Sequence, residues 1–151
     1  MTLFAENLEP AEIALLKRAT YQDAALLESF FRSFKEVAFC QWQDTKCLQR
    51  ILTRETTIAY LAKDAKGDVV GAVLGGVLGT RGTINHLAVS PEYRGQGVGQ
   101  CLVDAATADM KRLNVRRMFL FVDGDNLVGR NFWNSLGFHE PKGEITCEKD
   151  L

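Results

Sequence analysis

Between Ser90 and Met110 the chain reads SPEYRGQGVGQCLVDAATADM. Gly95, Gly97 and Gly99 stand at alternate positions, with Arg94 before them and Gln96 and Val98 between. Glycine loses more backbone freedom on folding than any other residue, so three in alternation are seldom needed for a turn that only closes a strand. At a strand-to-helix junction, bare N–H groups lie at the positive end of a helix, a setting suited to phosphate or pyrophosphate. Two phosphate motifs are excluded by the residues themselves. A P-loop requires G-x-x-x-x-G-K-[ST], but Gly99 is followed by Gln100 and Cys101. A dinucleotide fingerprint requires G-x-G-x-x-G early in a parallel βαβ unit, whereas these glycines alternate and follow an antiparallel meander.

The elements that must hold this loop are legible on either side of it. The segment Ile13–Ala19 reads as a short strand. Thr20 followed by Asp23 reads as a capping-box start, with the hydroxyl capping backbone N–H groups and the acid favouring the dipole. Leu26, Leu27, Phe30, Phe31 and Phe34 then give a first helix one apolar face, and a second helix is predicted over about Thr45–Arg54. From Thr56 to Pro91, β-branched residues broken by the glycine turns AKGD and GTRG predict three consecutive antiparallel strands. Val98, Cys101, Leu102, Ala105, Ala106, Met110 and Leu113 mark an amphipathic helix after the loop. VRRMFLFVD is a buried strand, parallel to the one before the helix because the chain returns through that helix. A last helix covers about Leu127–Leu136 and ends at Gly137. The tail after it makes at most one small hairpin.

The 151 residues are expected to form one domain, 1–151, with a core large enough to need no metal or disulfide. Charge is balanced, at −1 net, which gives no electrostatic case for a nucleic-acid groove or a membrane-binding face. Cys40, Cys47, Cys101 and Cys147 show no C-x-x-C pair and no histidine at metal-ligand spacing, so reduced thiols in a cytoplasmic chain are expected and no metal. The N-terminal MTLFAENLEPAEI lacks the basic and apolar regions of a signal peptide. VVGAVLGGVLG is far shorter than the about 20 residues needed to span a bilayer.

The chain resembles the Gcn5-related N-acetyltransferase (GNAT) family over nearly its whole length. Arg94, Gly97 and Gly99 match the family's Q/R-x-x-G-x-G/A signature, and NLVGRNFWNSLGF is similar to its N-x-x-A-x-x-F-Y-x-x-L-G-F segment. The resemblance implies a mixed α/β fold: a mostly antiparallel central sheet with a parallel pair of fourth and fifth strands, flanked by helices. It also implies acetyl-CoA as cosubstrate. The main chain of Arg94, Gly95, Gln96, Gly97, Val98 and Gly99 would hold the pyrophosphate. The backbone of Leu87, Ala88 and Val89 would pair with the pantetheine arm, and Asn126 would reach the cofactor. Trp133 occupies the place where many members keep a tyrosine that protonates the leaving thiolate.

Acetyl transfer to an amine asks for a neutral nitrogen, donors for the oxyanion, and a leaving thiolate that is stabilised or protonated. Indole only donates a hydrogen bond and does not yield its proton near neutrality. A thiol of pKa about 8.5 can leave as the anion at a cost of about 2 kcal/mol, so losing the tyrosine slows the reaction without forbidding it. In some members a glutamate near the place of Thr83 helps deprotonate the amine, which threonine cannot do. His86 is the nearest group with a suitable pKa, about 6.5 when unperturbed. Alternation leaves two readings of His86 open: a catalytic base, or a hydrogen-bonded core histidine facing a helix. Asn85 is the candidate for placing the acceptor while water removes the proton. Tyr93 is read as packed or solvated and His139 as superficial. Phe39 and Trp42 are candidates for an aromatic wall to the acceptor pocket, and Cys101 is read as packing.

The leading reading is an N-acetyltransferase acting on a primary amine of a small molecule or a peptide or protein. The alternative is a non-catalytic acyl-CoA-binding or regulatory module. The short tail after Phe138 leaves one cleft wall low or supplied by a second copy, so a homodimer is also carried as an expectation.

Overall fold

Strand alternation and helical stripes place every main element close to its sequence-predicted position in the computed structural model, which describes residues 14–151. Of the first predicted strand, Ile13 lies outside the described residues and β1 is Leu15–Arg18. A 3-10 turn, Tyr21–Asp23, leads into α1, Ala24–Arg32. The Thr20 N–H donates to the Asp23 carboxylate at 2.8 Å, and the threonine hydroxyl donates to the same oxygen at 3.1 Å. Burial pushes the Asp23 carboxyl up, but the Thr20 N–H, Lys17 at 3.0 Å and the hydroxyl together outweigh it and hold the group below its ordinary value. The buried stripe of α1 is Ala24, Leu27 and Phe31. Leu26, which the periodicity assigned to that face, is 40% exposed. A second helix, α2, covers Thr45–Leu52, its N-terminus capped by Asp44 accepting from the Cys47 N–H at 2.9 Å.

The sheet runs β1-β2-β3-β4-β5 in chain order, with β2 Thr57–Lys63, β3 Val69–Leu78, β4 Arg81–Val89 and β5 Arg117–Leu120. The pairs β1–β2, β2–β3 and β3–β4 are antiparallel, and β5 is parallel to β4. Crossing from β4 to β5 is α3, Val98–Arg112. On one face Leu27 and Phe31 of α1 and Leu48 of α2 pack on Ala59, Leu61, Ala72, Leu74 and Ala88. α3 covers the other face so closely that a Cβ on Gly71 would lie 2.9 Å from Leu102 Cδ1 and 3.0 Å from Val98 Cγ1. Such core burial supplies the main driving force for docking, at roughly 25 cal/mol per Å² of apolar surface.

β4 contains one residue more than β3 at the middle of their ladder. Leu74 opposes His86 while Gly75 opposes Ile84, so Asn85 is a β-bulge. The extra residue reverses which face the even-numbered side chains of β4 occupy. Gly82 lies under Met110 of α3, whereas His86 meets Phe31 of α1 and Ala88 joins the α1 core.

The chain divides into two units, the first ending at Phe121 and the second comprising Val122–Leu151. The second carries α4, Leu127–Ser135. Residues 139–151 contain no strand, so the small hairpin that the sequence allowed does not form. No described helix is long and apolar enough to cross a membrane.

Candidate functional site

β4 has two partners along only part of its length. β5 pairs with Arg81–Ile84 and stops, leaving Asn85–Val89 without a strand partner on that side among the described residues. The Ser90 N–H donates to Val70 at 2.8 Å, and antiparallel alternation from that pair directs Ala88 toward β3. The amides and carbonyls of Leu87 and Val89 therefore face the open edge. Of the three residues expected to meet a pantetheine arm, Leu87 and Val89 direct backbone groups outward, whereas those of Ala88 belong to the β3 ladder.

The open edge runs straight into the glycine loop. After the 3-10 turn Pro91–Tyr93, Gly95 has φ +74° and Gly97 has φ +85°, left-handed conformations that L side chains adopt only with strain. Gly97 is the N-cap of α3 and supplies no side chain, so the first-turn N–H groups of Val98, Gly99 and Gln100 have no side-chain cap. Gly99 is already helical. Gln96 donates to the Glu92 carbonyl at 3.0 Å, and its Oε1 is buried without a protein partner. Arg94 folds back: its Nε donates to the Val89 carbonyl at 2.8 Å and Nη2 donates to Glu36 at 2.7 Å. That pairing holds the Glu36 carboxyl below the usual range. The Tyr93 hydroxyl donates to Asp64 at 3.3 Å. An extended edge with spare amides, a bare N–H loop and a guanidinium together fit a ligand with an amide-bearing arm and a pyrophosphate.

Beside the bulge, His86 faces α1. Its Nε2 is 3.2 Å from Gln43 Oε1, and its ring lies 4.8 Å from Phe39 and 5.5 Å from Phe31 between centroids. An amide oxygen only accepts, so Nε2 carries the proton in this contact. Burial lowers the imidazole from 6.5 to about 4. Asn85, at the bulge, is exposed, and its Oδ1 accepts from the Thr83 hydroxyl at 2.9 Å. Phe39 stacks on Phe31 at 5.4 Å and carries the Arg32 guanidinium on its ring at 5.1 Å, while Trp42 is 66% exposed.

This arrangement can be set against known proteins. A family model described as the acetyltransferase (GNAT) family matches residues 19–138. The chain belongs to the GNAT acetyltransferase family. Acetyltransferase SG1711 of Sodalis glossinidius (strain morsitans) is 31% identical over 111 residues, which cover 73% of this chain and 78% of that one. Among solved structures, aminoglycoside N-acetyltransferase AAC(6')-Iy in complex with CoA superposes with a TM-score of 0.76 at 18% identity, covering 95% of this chain and 100% of that one. A soil-metagenome aminoglycoside acetyltransferase in complex with sisomicin gives 0.73 at 20% identity, over 91% and 95% of the two chains. A ribosomal-protein-alanine N-acetyltransferase from Brucella melitensis gives 0.70 at 16%, over 89% and 98%. These likenesses show that the acetyltransferase has the GNAT fold.

On the α1 face of its sheet, the acetyltransferase carries an open groove of about 470 Å³ lined by Gly76, Val77, Leu78, Arg81, Thr83, Phe119 and Phe121. Leu78 and Phe121 are 86% and 78% exposed, and the Arg81 guanidinium lies 5.3 Å from the centre of the Phe119 ring. Nothing in the sequence signals this groove, because VRRMFLFVD has the composition of a strand buried throughout. The shortness of β5 removes Phe121 from the sheet.

Within the C-terminal unit, Asn126 is the N-cap of α4, its Oδ1 accepting from the Gly129 N–H at 2.9 Å. Trp133 packs edge-on between Phe132 and Phe138, with centroids at 4.9 and 5.2 Å. His139 is exposed. In the first unit Cys101 is buried, and burial and nearby Asp104 push its thiol up, consistent with packing. Glu36 and Gln43 went unnoticed in the sequence: polar residues in an irregular connection carry no periodic signal.

Proposed function

We propose that this acetyltransferase moves the acetyl group of acetyl-CoA to a primary amine by direct attack on the thioester. The observation that carries the reading is the open edge of β4 leading into the uncapped N–H groups at the start of α3. Leu87 and Val89 would hold the pantetheine arm, and residues 94–99 the pyrophosphate, with Ala88 supporting them through β3. Bound there, the cosubstrate supplies an activated acyl group and a thiol leaving group. The Leu87 N–H would donate to the oxygen on which charge builds.

On the acceptor side, Asn85 and Thr83 present polar groups beside the bulge, and the Leu78, Phe119 and Phe121 groove offers an apolar wall. His86 acts by position. It holds Gln43 and Phe39 of the α1–α2 connection, and the amine loses its proton to water. The thiol leaves as its anion, at a cost of about 2 kcal/mol. The neighbours named for sisomicin and for ribosomal-protein alanine illustrate small-molecule and protein acceptors alike, and both classes belong in the test. Release of CoA thiol is followed with polyamines, aminoglycosides, amino acids and N-terminal or lysine peptides. Turnover on one amine is the expected result. Thermal stabilisation by acetyl-CoA without turnover on any acceptor supports the non-catalytic alternative, and absence of both refutes the donor site.

A further inference from the structure

Arg94 bridges two parts of the first unit. Its Nε secures the Val89 carbonyl at the mouth of the glycine loop, while Nη2 reaches Glu36 in the connection between α1 and α2, and its guanidinium lies 6.0 Å from the centre of the Phe34 ring. Glu36 thus puts a carboxylate on a cation beside N–H groups shaped for an anion. Carboxylate and phosphate use the same guanidinium donors, and either forms charge-assisted hydrogen bonds with them. The pair is also weak enough to exchange. Its side chains are 48% and 54% exposed, and exposed ion pairs contribute little to stability.

We propose that Glu36 is an internal competitor for the cosubstrate's pyrophosphate: it holds Arg94 in the free protein, and binding transfers Arg94 to phosphate and releases residues 33–40, the front half of the connection between α1 and α2. This rests on the donor reading above. The connection has a second polar tether, Gln43 on His86, so release of Glu36 loosens its front half and leaves its rear half seated.

The test uses CoA alone, which permits no turnover. Calorimetric titration of the wild type, Glu36→Gln and Glu36→Lys is paired with amide hydrogen exchange across 33–44. Glu36→Gln is expected to bind CoA roughly two- to five-fold more tightly, the range set by loss of one exposed ion pair, and Glu36→Lys more tightly still. In the wild type CoA accelerates exchange across 33–40; in both variants exchange there is already fast and CoA leaves it unchanged. Unchanged or weaker CoA binding by both folded variants, or protection of 33–40 by CoA in the wild type, overturns the competitor role while leaving the donor site standing. Failure of the wild type to bind CoA at all refutes the donor reading itself.

Discussion

Replacing His86 by glutamine separates a histidine that positions from one that takes a proton. Glutamine keeps a polar group within reach of Gln43 and cannot titrate. In the folded chain the imidazole sits at about 4 against 6.5 ordinarily. That drop corresponds to roughly 3 kcal/mol against protonation; the ring is only partly buried, and solvent screening reduces this to on the order of 1 to 2 kcal/mol. The sign follows from linkage. Between about pH 6.5 and 4 the unfolded chain binds the proton and the folded one does not, so this contribution to stability is complete above 6.5 and falls away as pH drops. Urea unfolding at pH 7.5 and 4.5 therefore shows the wild type losing about 1 to 2 kcal/mol more than Glu- and Asp-dependent effects alone remove from His86→Gln. In turnover, kcat/KM rises toward the acceptor amine's own pKa, with no limb near 6 to 7, and His86→Gln retains activity within about three-fold. A wild-type limb near 6 to 7 that vanishes in His86→Gln, together with a loss of the 10²-fold size typical of a general base, would make His86 the base instead.

Gly97→Ala places an L side chain at φ +85°, which costs about 1 to 2 kcal/mol, and tilts the N–H groups of the loop; melting and CoA titration should both show losses. A methyl group on Gly75 runs into the Thr83 carbonyl across the β3–β4 ladder at the bulge, so Gly75→Ala lowers stability by about 1 to 3 kcal/mol in chemical denaturation. Asp109 accepts from Arg18 at 2.6 Å and from the Tyr60 hydroxyl at 2.7 Å, joining α3 to β1 and β2. Asp109→Ala leaves the Tyr60 hydroxyl and Arg18 Nη1 unmatched and costs about 1 to 3 kcal/mol by the same measurement, with CoA affinity unchanged.

Legibility followed periodicity. The stripe on α3 and the glycine turns that divide β2, β3 and β4 are local patterns, and each appears where its spacing places it. On α1 the stripe was drawn one residue too wide. Leu26 is an ordinary hydrophobe whose exposure depends on where α2 lies, and nothing in its own segment encodes that. The bulge at Asn85 was equally invisible, because one inserted residue becomes apparent only against the register of a partner strand. Its effect reaches the site directly: past the bulge, His86 turns toward Phe31, Phe39 and Gln43.

By itself the sequence determined the glycine loop that opens α3. Alternating glycines before an amphipathic helix carry their meaning in local backbone conformation, and φ values of +74° and +85° at Gly95 and Gly97 express that local rule. Tertiary structure alone decided what stands around the loop. It set the edge of β4 free by ending β5 early, buried the His86 ring so that it stays neutral, and brought Glu36 from 58 residues away onto Arg94. Contacts between distant residues depend on packing, so no window of sequence contains them.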